Sequence, residues 1–212
     1  MPVTSKVAQN RERRKAEIVA RARTYFARVG LEGTTRGLAK ELGCSQAMFY
    51  RYFPNSEDLI SNVFSSTFDE TRYRLLPELD AASGVPLREQ LSNLLYVYCT
   101  KVMNEEWIRL FFFASLSGYT EPYVANKQVI TKSILLPICR TVRAEIGYDG
   151  AEIERIPVSD VEYELAWRPF GGVIYNMIRV HIFKIQLKVP LKDIIAEVVD
   201  QHMDGWYANW PR

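Results

Sequence analysis

The stretch LAKELGCSQAMFYRY, residues 38–52, constrains this chain more than any other. Two short segments with helical apolar spacing flank one glycine. Glycine takes a positive φ at little steric cost, so Gly43 predicts a tight turn between two helices. Ala39 is small where those helices must cross closely. Leu38, Leu42, Cys44, Phe49 and Tyr52 stand at the spacings of a packed face. On a helical projection Phe49, Tyr52 and Phe53 share one side, and Ala47, Met48, Tyr50 and Arg51 share the other. A helix whose outer face is small, polar and basic can enter the major groove of DNA, which is wide enough to admit it.

The rest of the chain also reads as helices. Residues 1–10 are polar and aperiodic, which predicts a flexible tail. From Arg11, the residues Ile18, Ala22, Tyr25, Phe26 and Val29 recur at three- and four-residue spacing, with arginines between them. Gly30 is a C-terminal stop. Thr34 or Thr35 can cap a second helix and Ser45 a third, which must end before Pro54. Asn55 or Ser56 opens a fourth, with Glu57 and Asp58 suited to its positive end, and Pro77 ends it. Further helices are expected over Leu87–Met103, from Glu105 to Gly118, and over Glu121–Ile146 with a kink at Pro137. Gly147–Pro157 reads as a loop. Ser159 and Glu162 form a capping box. The helix they open is expected to reach about Leu187, bent or broken at Pro169 and Gly171-Gly172. Pro190 opens a last helix through about Tyr207. No window alternates as a strand does, so the fold class is all-α, with about nine helices.

Charge is unevenly placed. Residues 1–54 hold eleven Lys/Arg against four Asp/Glu, a net +7, and the remainder holds sixteen against twenty-one, a net −5. A basic end on an acidic body suggests a polyanionic partner; a solvated helix face rich in arginine is the plainer reading. Three cysteines without CxxC spacing argue against a disulfide framework and a zinc site. The opening residues lack the pattern of a signal peptide, and the longest apolar runs are too short to span a bilayer. A cytoplasmic protein is expected, with no cofactor and no membrane partner.

The longer segment VGLEGTTRGLAKELGCSQAMFYRYFPNSEDL, residues 29–59, resembles the DNA-binding region of the tetracycline-repressor (TetR) family. The close match covers roughly Arg13–Phe64. The resemblance implies a helix-turn-helix domain over residues 11–54 and a helical effector-binding and dimerisation domain over 55–212. It also implies roles by position. Arg36 would reach a guanine edge or a phosphate, and Thr35 would donate to a phosphate. Gln46 and Met48 would lie on the base-reading side, with Ser45 and Ala47 beside them. Tyr50 would bond a phosphate, and Arg51 would do either job. Chemistry agrees, because arginine pairs bidentately with guanine and glutamine with adenine. Two departures stand out. Ser56 occupies a position where the family usually has a phosphate-binding lysine, and the turn Gly30–Thr34 is one residue shorter than the common form. Implied partners are double-stranded DNA, a second copy of the chain, and a small effector, largely apolar or aromatic.

Other candidates have competing readings. Trp107, Phe111, Tyr123, Trp167 and Tyr175 could line an effector pocket or form ordinary core. Arg109 and Arg168 could anchor an acidic ligand or pair with local carboxylates. Ile174, Ile178 and Ile182 in one stripe, and Ile195 and Val199 in another, could be core or could face a partner copy. Cys44 could be a redox switch or a packed thiol. His181 and His202 have no ligand-spaced neighbours. Glu162 and Glu164 are two apart and do not share a helix face, which argues against an acid/base pair. No GxSxG, P-loop or GxGxxG is present. A regulator is therefore expected rather than an enzyme. An all-α ligand-binding protein or enzyme, and a helical adaptor for an acidic protein, are the alternatives.

Overall fold

The computed structural model describes residues 6–30, 35–75, 84–119, 127 and 130–211. Among these are ten α-helices and no strand, an all-α fold. They are α1 (Lys6–Val29), α2 (Thr35–Glu41), α3 (Gln46–Tyr50), α4 (Ser56–Leu75), α5 (Leu87–Val97), α6 (Glu105–Leu116), α7 (Leu136–Glu145), α8 (Gly150–Arg155), α9 (Asp160–His181) and α10 (Leu191–Asn209). Two π-helical turns, Tyr98–Val102 and Thr131–Leu135, follow α5 and precede α7. None of the described helices is long and apolar enough to cross a membrane.

The chain forms two compact units: Met1–Asp69 with Glu106–Pro122, and Glu70–Glu105 with Tyr123–Arg212. In the first, Ile18, Val19, Ala22, Tyr25 and Phe26 make the apolar stripe of α1. Leu38, Phe49, Phe53, Leu59, Val63 and Phe64 complete the core from α2 to α4. Each buried phenylalanine contributes about 1.5–3 kcal/mol relative to exposure. Helix α1 starts at Lys6, so the expected flexible tail is helical from that residue. The unit also takes in α6, which a boundary drawn at residue 54 leaves out.

In the second unit α5, α9 and α10 share a core of Leu91, Leu94, Leu95, Val173, Met177, Ile195, Val199 and Met203. Arg88 of α5 pairs with Asp200 and with Asp204 of α10, the latter at 2.7 Å. Several expectations change here. The expected loop at 147–157 contains α8, opened by a capping box in which Asp149 and Glu152 satisfy each other's backbone amides at 2.7 and 2.9 Å. Pro169 and the glycine pair do not break α9: Pro169 is buried with Phe170 and Val173, and packing of that face outweighs one missing amide. The helix stops at His181 rather than near Leu187. Beyond it Lys184 takes φ 57°, unusual for a side chain with a Cβ, and its ammonium pairs with Glu105 at 2.6 Å. Helical backbone runs without a break from Ile130 through Pro137 to Glu145, and its irregularity is the π turn Thr131–Leu135 just before the proline. The expected start of that helix, the stop at Pro77 and the Gly30–Thr34 turn involve residues outside the described ones.

Candidate nucleic-acid interface

The turn between α2 and α3 is closed by backbone alone. The Cys44 amide donates to the Ala39 carbonyl at 3.0 Å and the Gly43 amide to Lys40 at 3.2 Å. Together with φ 64° at Gly43, these are the paired bonds of a Schellman stop. Ala39 is 4% exposed, as close helix crossing requires. Ser45 occupies the N-cap of α3 with extended backbone, but its side chain caps nothing. The regular part of α3 is short, and a turn carries the chain through Arg51 and Tyr52 to Phe53. Phe49 and Phe53 are 1% exposed and anchor the inner face. Arg36, Ser45, Gln46, Ala47, Tyr50 and Arg51 are exposed, and Met48 is half-buried.

Two of these side chains are prepositioned. The Gln46 amide donates to the Thr35 hydroxyl at 3.0 Å and lies 3.5 Å from the Tyr50 hydroxyl. Thr35 is buried, yet its hydroxyl only accepts in that contact, so its proton remains available to an acceptor. The first residue of α2 and both ends of α3 are thus linked through one carboxamide. At the start of α4, Asn55 accepts from the Asp58 amide at 2.7 Å, which makes Asn55 the cap. Ser56 is half-buried in the first turn beside Glu57 and Asp58. That end of α4 offers a phosphate two backbone amides and a hydroxyl, opposed by two carboxylates.

The basic excess of the first unit is partly neutralised. Arg14 pairs with Glu17 at 2.8 Å, Arg23 with Glu106 at 2.8 Å, and Arg28 with Glu41. Helix α6 clasps the C-terminal half of α1. Glu106 also accepts from the Thr24 hydroxyl at 2.8 Å, and the Arg109 guanidinium donates to the carbonyls of Ala27 and Arg28 while lying over the Phe113 ring. Arg109 therefore caps the end of α1, where a cation also suits the helix dipole. It is not free to anchor a ligand, and sequence spacing carries no trace of a partner 82 residues away.

The effector candidates divide. Trp107 and Phe111 stack on one another in the first unit, with ring centroids 5.1 Å apart. Trp167 is half-buried in the second, edge-on to Phe170, which in turn meets Tyr98 of the π turn. Tyr175 is 59% exposed, and Tyr123 lies outside the described residues. Of the dimer candidates, Ile174, Ile178 and Ile182 are half-buried. Ile195 and Val199 are 1% and 0% exposed within their own chain, so they are core and cannot meet a partner. Their stripe faces α5 and α9, which periodicity alone could not distinguish from a second subunit.

Glu162 has a structural role that its capping box does not reveal. Its carboxylate takes two bonds from Arg143, at 2.6 and 2.7 Å, one from the Trp210 indole at 2.9 Å, and two from Ser159. Arg143 also donates to the carbonyls of Ile156 and Pro157. Burial pushes the Glu162 carboxyl up, but the Arg143 guanidinium and the other donors outweigh it and hold it below the usual glutamate value. This is a closed structural network and leaves no lone pair for catalysis. Near the end of α9, burial lowers the His181 pKa, against Glu105, which raises it. His202 Nδ1 contacts the Val198 carbonyl at 2.6 Å. Among the described residues no three His, Cys, Asp or Glu side chains gather as metal ligands.

Short helices crossing at a Schellman turn, a buried aromatic inner face and a polar, basic outer face define a DNA-binding helix-turn-helix domain. Residues 18–63 match the family model of bacterial regulatory proteins, tetR family, the family that the motif of this domain resembles. The nucleoid occlusion factor SlmA of Mannheimia succiniciproducens is 36% identical over 80 residues, covering 35% of this chain and 37% of that protein. The chain thus spans little more than a third of that relative. A crystal structure of a TetR-family transcriptional regulator from Mesorhizobium loti aligns with TM-score 0.59 and 18% identity, over 93% of this chain and 96% of that one. That likeness extends the shared fold to nearly the whole molecule. RolR in complex with resorcinol aligns at 20% identity over 96% of this chain and 97% of that one, with a TM-score of 0.41, too low to support a conclusion.

Proposed function

We propose that this protein is a ligand-responsive transcriptional regulator that binds a palindromic operator as a homodimer and is released by a small molecule. The observation that carries the reading is the outward set on α2 and α3: exposed Arg36, Gln46, Ala47, Tyr50 and Arg51 over a buried Phe49/Phe53 face. Arg36 and Gln46 read base edges, with Met48 at the margin. Thr35, Ser45, Tyr50 and Ser56 set register on phosphates. The family-model match, residues 18–63, lies at this head, so it speaks to DNA binding and not to what the rest of the chain recognises.

Two copies of α3 enter successive major grooves one helical turn apart. The partner surface is the outer side of α9, with Ile174, Ile178 and Ile182 at its centre. Tyr175, Phe183 and Ile185, at 59%, 56% and 45% exposure, extend it. The effector is largely apolar or aromatic. Its best-supported seat is the Tyr98–Phe170–Trp167 cluster, where a π turn widens the helix beside α9. Such a ligand must favour the DNA-incompetent state by its differential affinity. No enzymatic step is part of this reading.

Selection of bound duplexes from a random pool tests it. The expected outcome is a two-fold symmetric site bound more tightly than random duplex at equal salt. Enrichment of no sequence would count against it. On that site Arg36→Ala costs about 1–3 kcal/mol if Arg36 reads a guanine, and equal loss on random DNA would assign it to phosphate.

A further inference from the structure

We propose that one flank of α1 is a second DNA-contact surface, an arginine stripe formed by Arg11, Arg14 and Arg21 that grips phosphates beside the reading helix. The inference rests on the DNA-binding reading above and adds residues that the motif does not include. Arg11, Arg14, Ile18 and Arg21 are spaced by three, four and three, and so lie in one line along α1. That line borders α3. The Arg11 guanidinium donates to the backbone carbonyl of Arg51 at 3.3 Å, which places it at the C-terminal end of the reading helix. Arg14, Ile18 and Arg21 share with Leu42 and Met48 the walls of one cleft of ≈ 330 Å³. The stripe is thus continuous with the outward face of α3 at Met48 and at Arg51.

A helix in the major groove leaves phosphates on the groove's rims, and groups flanking that helix must meet them. The start of α4 offers the Ser56 hydroxyl there but no cation, and Glu57 and Asp58 stand beside it. Helix α1 supplies the missing cations. Arg11 and Arg21 are exposed. Arg14 is held by Glu17 in an ion pair whose side chains are 49% and 46% exposed, weak enough to exchange for a phosphate. Arg13 has the same charge but lies about 200° around the helix from Arg11, on the opposite side.

The test is titration of the full chain with one fixed random-sequence duplex across a salt series. Arg11→Gln and Arg21→Gln should each lower the steepness of log K against log salt by about 0.9 for each phosphate left without its arginine. Arg13→Gln should leave the slope at the parent value. In the opposite direction, Glu17→Gln frees Arg14 and should tighten binding to the same duplex. Thermal melts matching the parent confirm that each variant is folded, and the gain expected from Glu17→Gln cannot arise from unfolding. Duplex binding with slopes unchanged in Arg11→Gln and Arg21→Gln, and no gain in Glu17→Gln, overturns the stripe while leaving the α3 reading intact. A parent chain that binds no duplex at all overturns both.

Discussion

Cys99 and Cys139 are 4% and 0% exposed, and burial pushes both thiols up to about 12. Glu162 raises Cys139 further, and its Sγ lies 3.6 Å from the Glu162 carbonyl. Because the thiolate is the reactive species, brief alkylation of the folded protein at neutral pH should modify Cys44 alone, which is half-buried. Intact-mass spectrometry reads the outcome. One adduct that localises to the peptide containing Cys44 is expected, and label on Cys139 in the folded chain would contradict the packing described. Gln46 makes a second point at this scale. Periodicity places it outward, but only the folded turn shows that Thr35 and Tyr50 hold its carboxamide, which would lower the ordering cost of its proposed base contact.

Among the elements, the α2–α3 turn depends on the left-handed backbone at Gly43. A Cβ there would meet nothing within 4 Å, so the cost of Gly43→Ala is conformational, about 1–2 kcal/mol. A denaturant midpoint unchanged from the parent would show that the turn adopts another form. In the second unit the Arg143–Glu162 pair joins α7, α9 and Trp210. Arg143→Met leaves a buried carboxylate without its cation and should cost about 3–5 kcal/mol by denaturant unfolding. The same pair makes stability depend on acid. A carboxyl held below its ordinary value contributes stability above that value, about 4.3 for glutamate, and loses it as pH falls through the lower folded value. Unfolding midpoints should therefore fall in that acid window. Glu162→Gln should be less stable near neutrality and show a shallower acid decline; an equal decline would place the acid sensitivity elsewhere.

For the whole molecule, the surface on which the proposed dimer rests is the outer side of α9 and the segment that follows it. Tyr175 on α9, and Phe183 and Ile185 just beyond its end, expose large apolar area, and the proposed second copy covering it would stabilise each chain by an amount that grows with the logarithm of concentration. Ile178→Glu should shift sedimentation towards the monomer and weaken binding to a palindromic duplex more than to a single half-site. A variant that remains dimeric would move the interface off this face.

The sequence alone determined that this chain is all helix, where most helices begin and end, and which face of α3 points inward. Those properties are local: glycine at a positive φ, capping residues, proline, and an apolar period of 3.6 all act within a few residues. Even α8 was legible in its Asp149/Glu152 box, but six residues of helix gave too short a period to separate it from a loop. Periodicity says that a face is apolar and not what covers it. Only the tertiary structure assigned Ile195 and Val199 to the chain's own core, paired Arg143 with Glu162, and turned Arg109 from a ligand anchor into the cap of α1. Each of those outcomes joins residues far apart in the chain, where contact depends on how whole helices pack and not on any pattern within one of them.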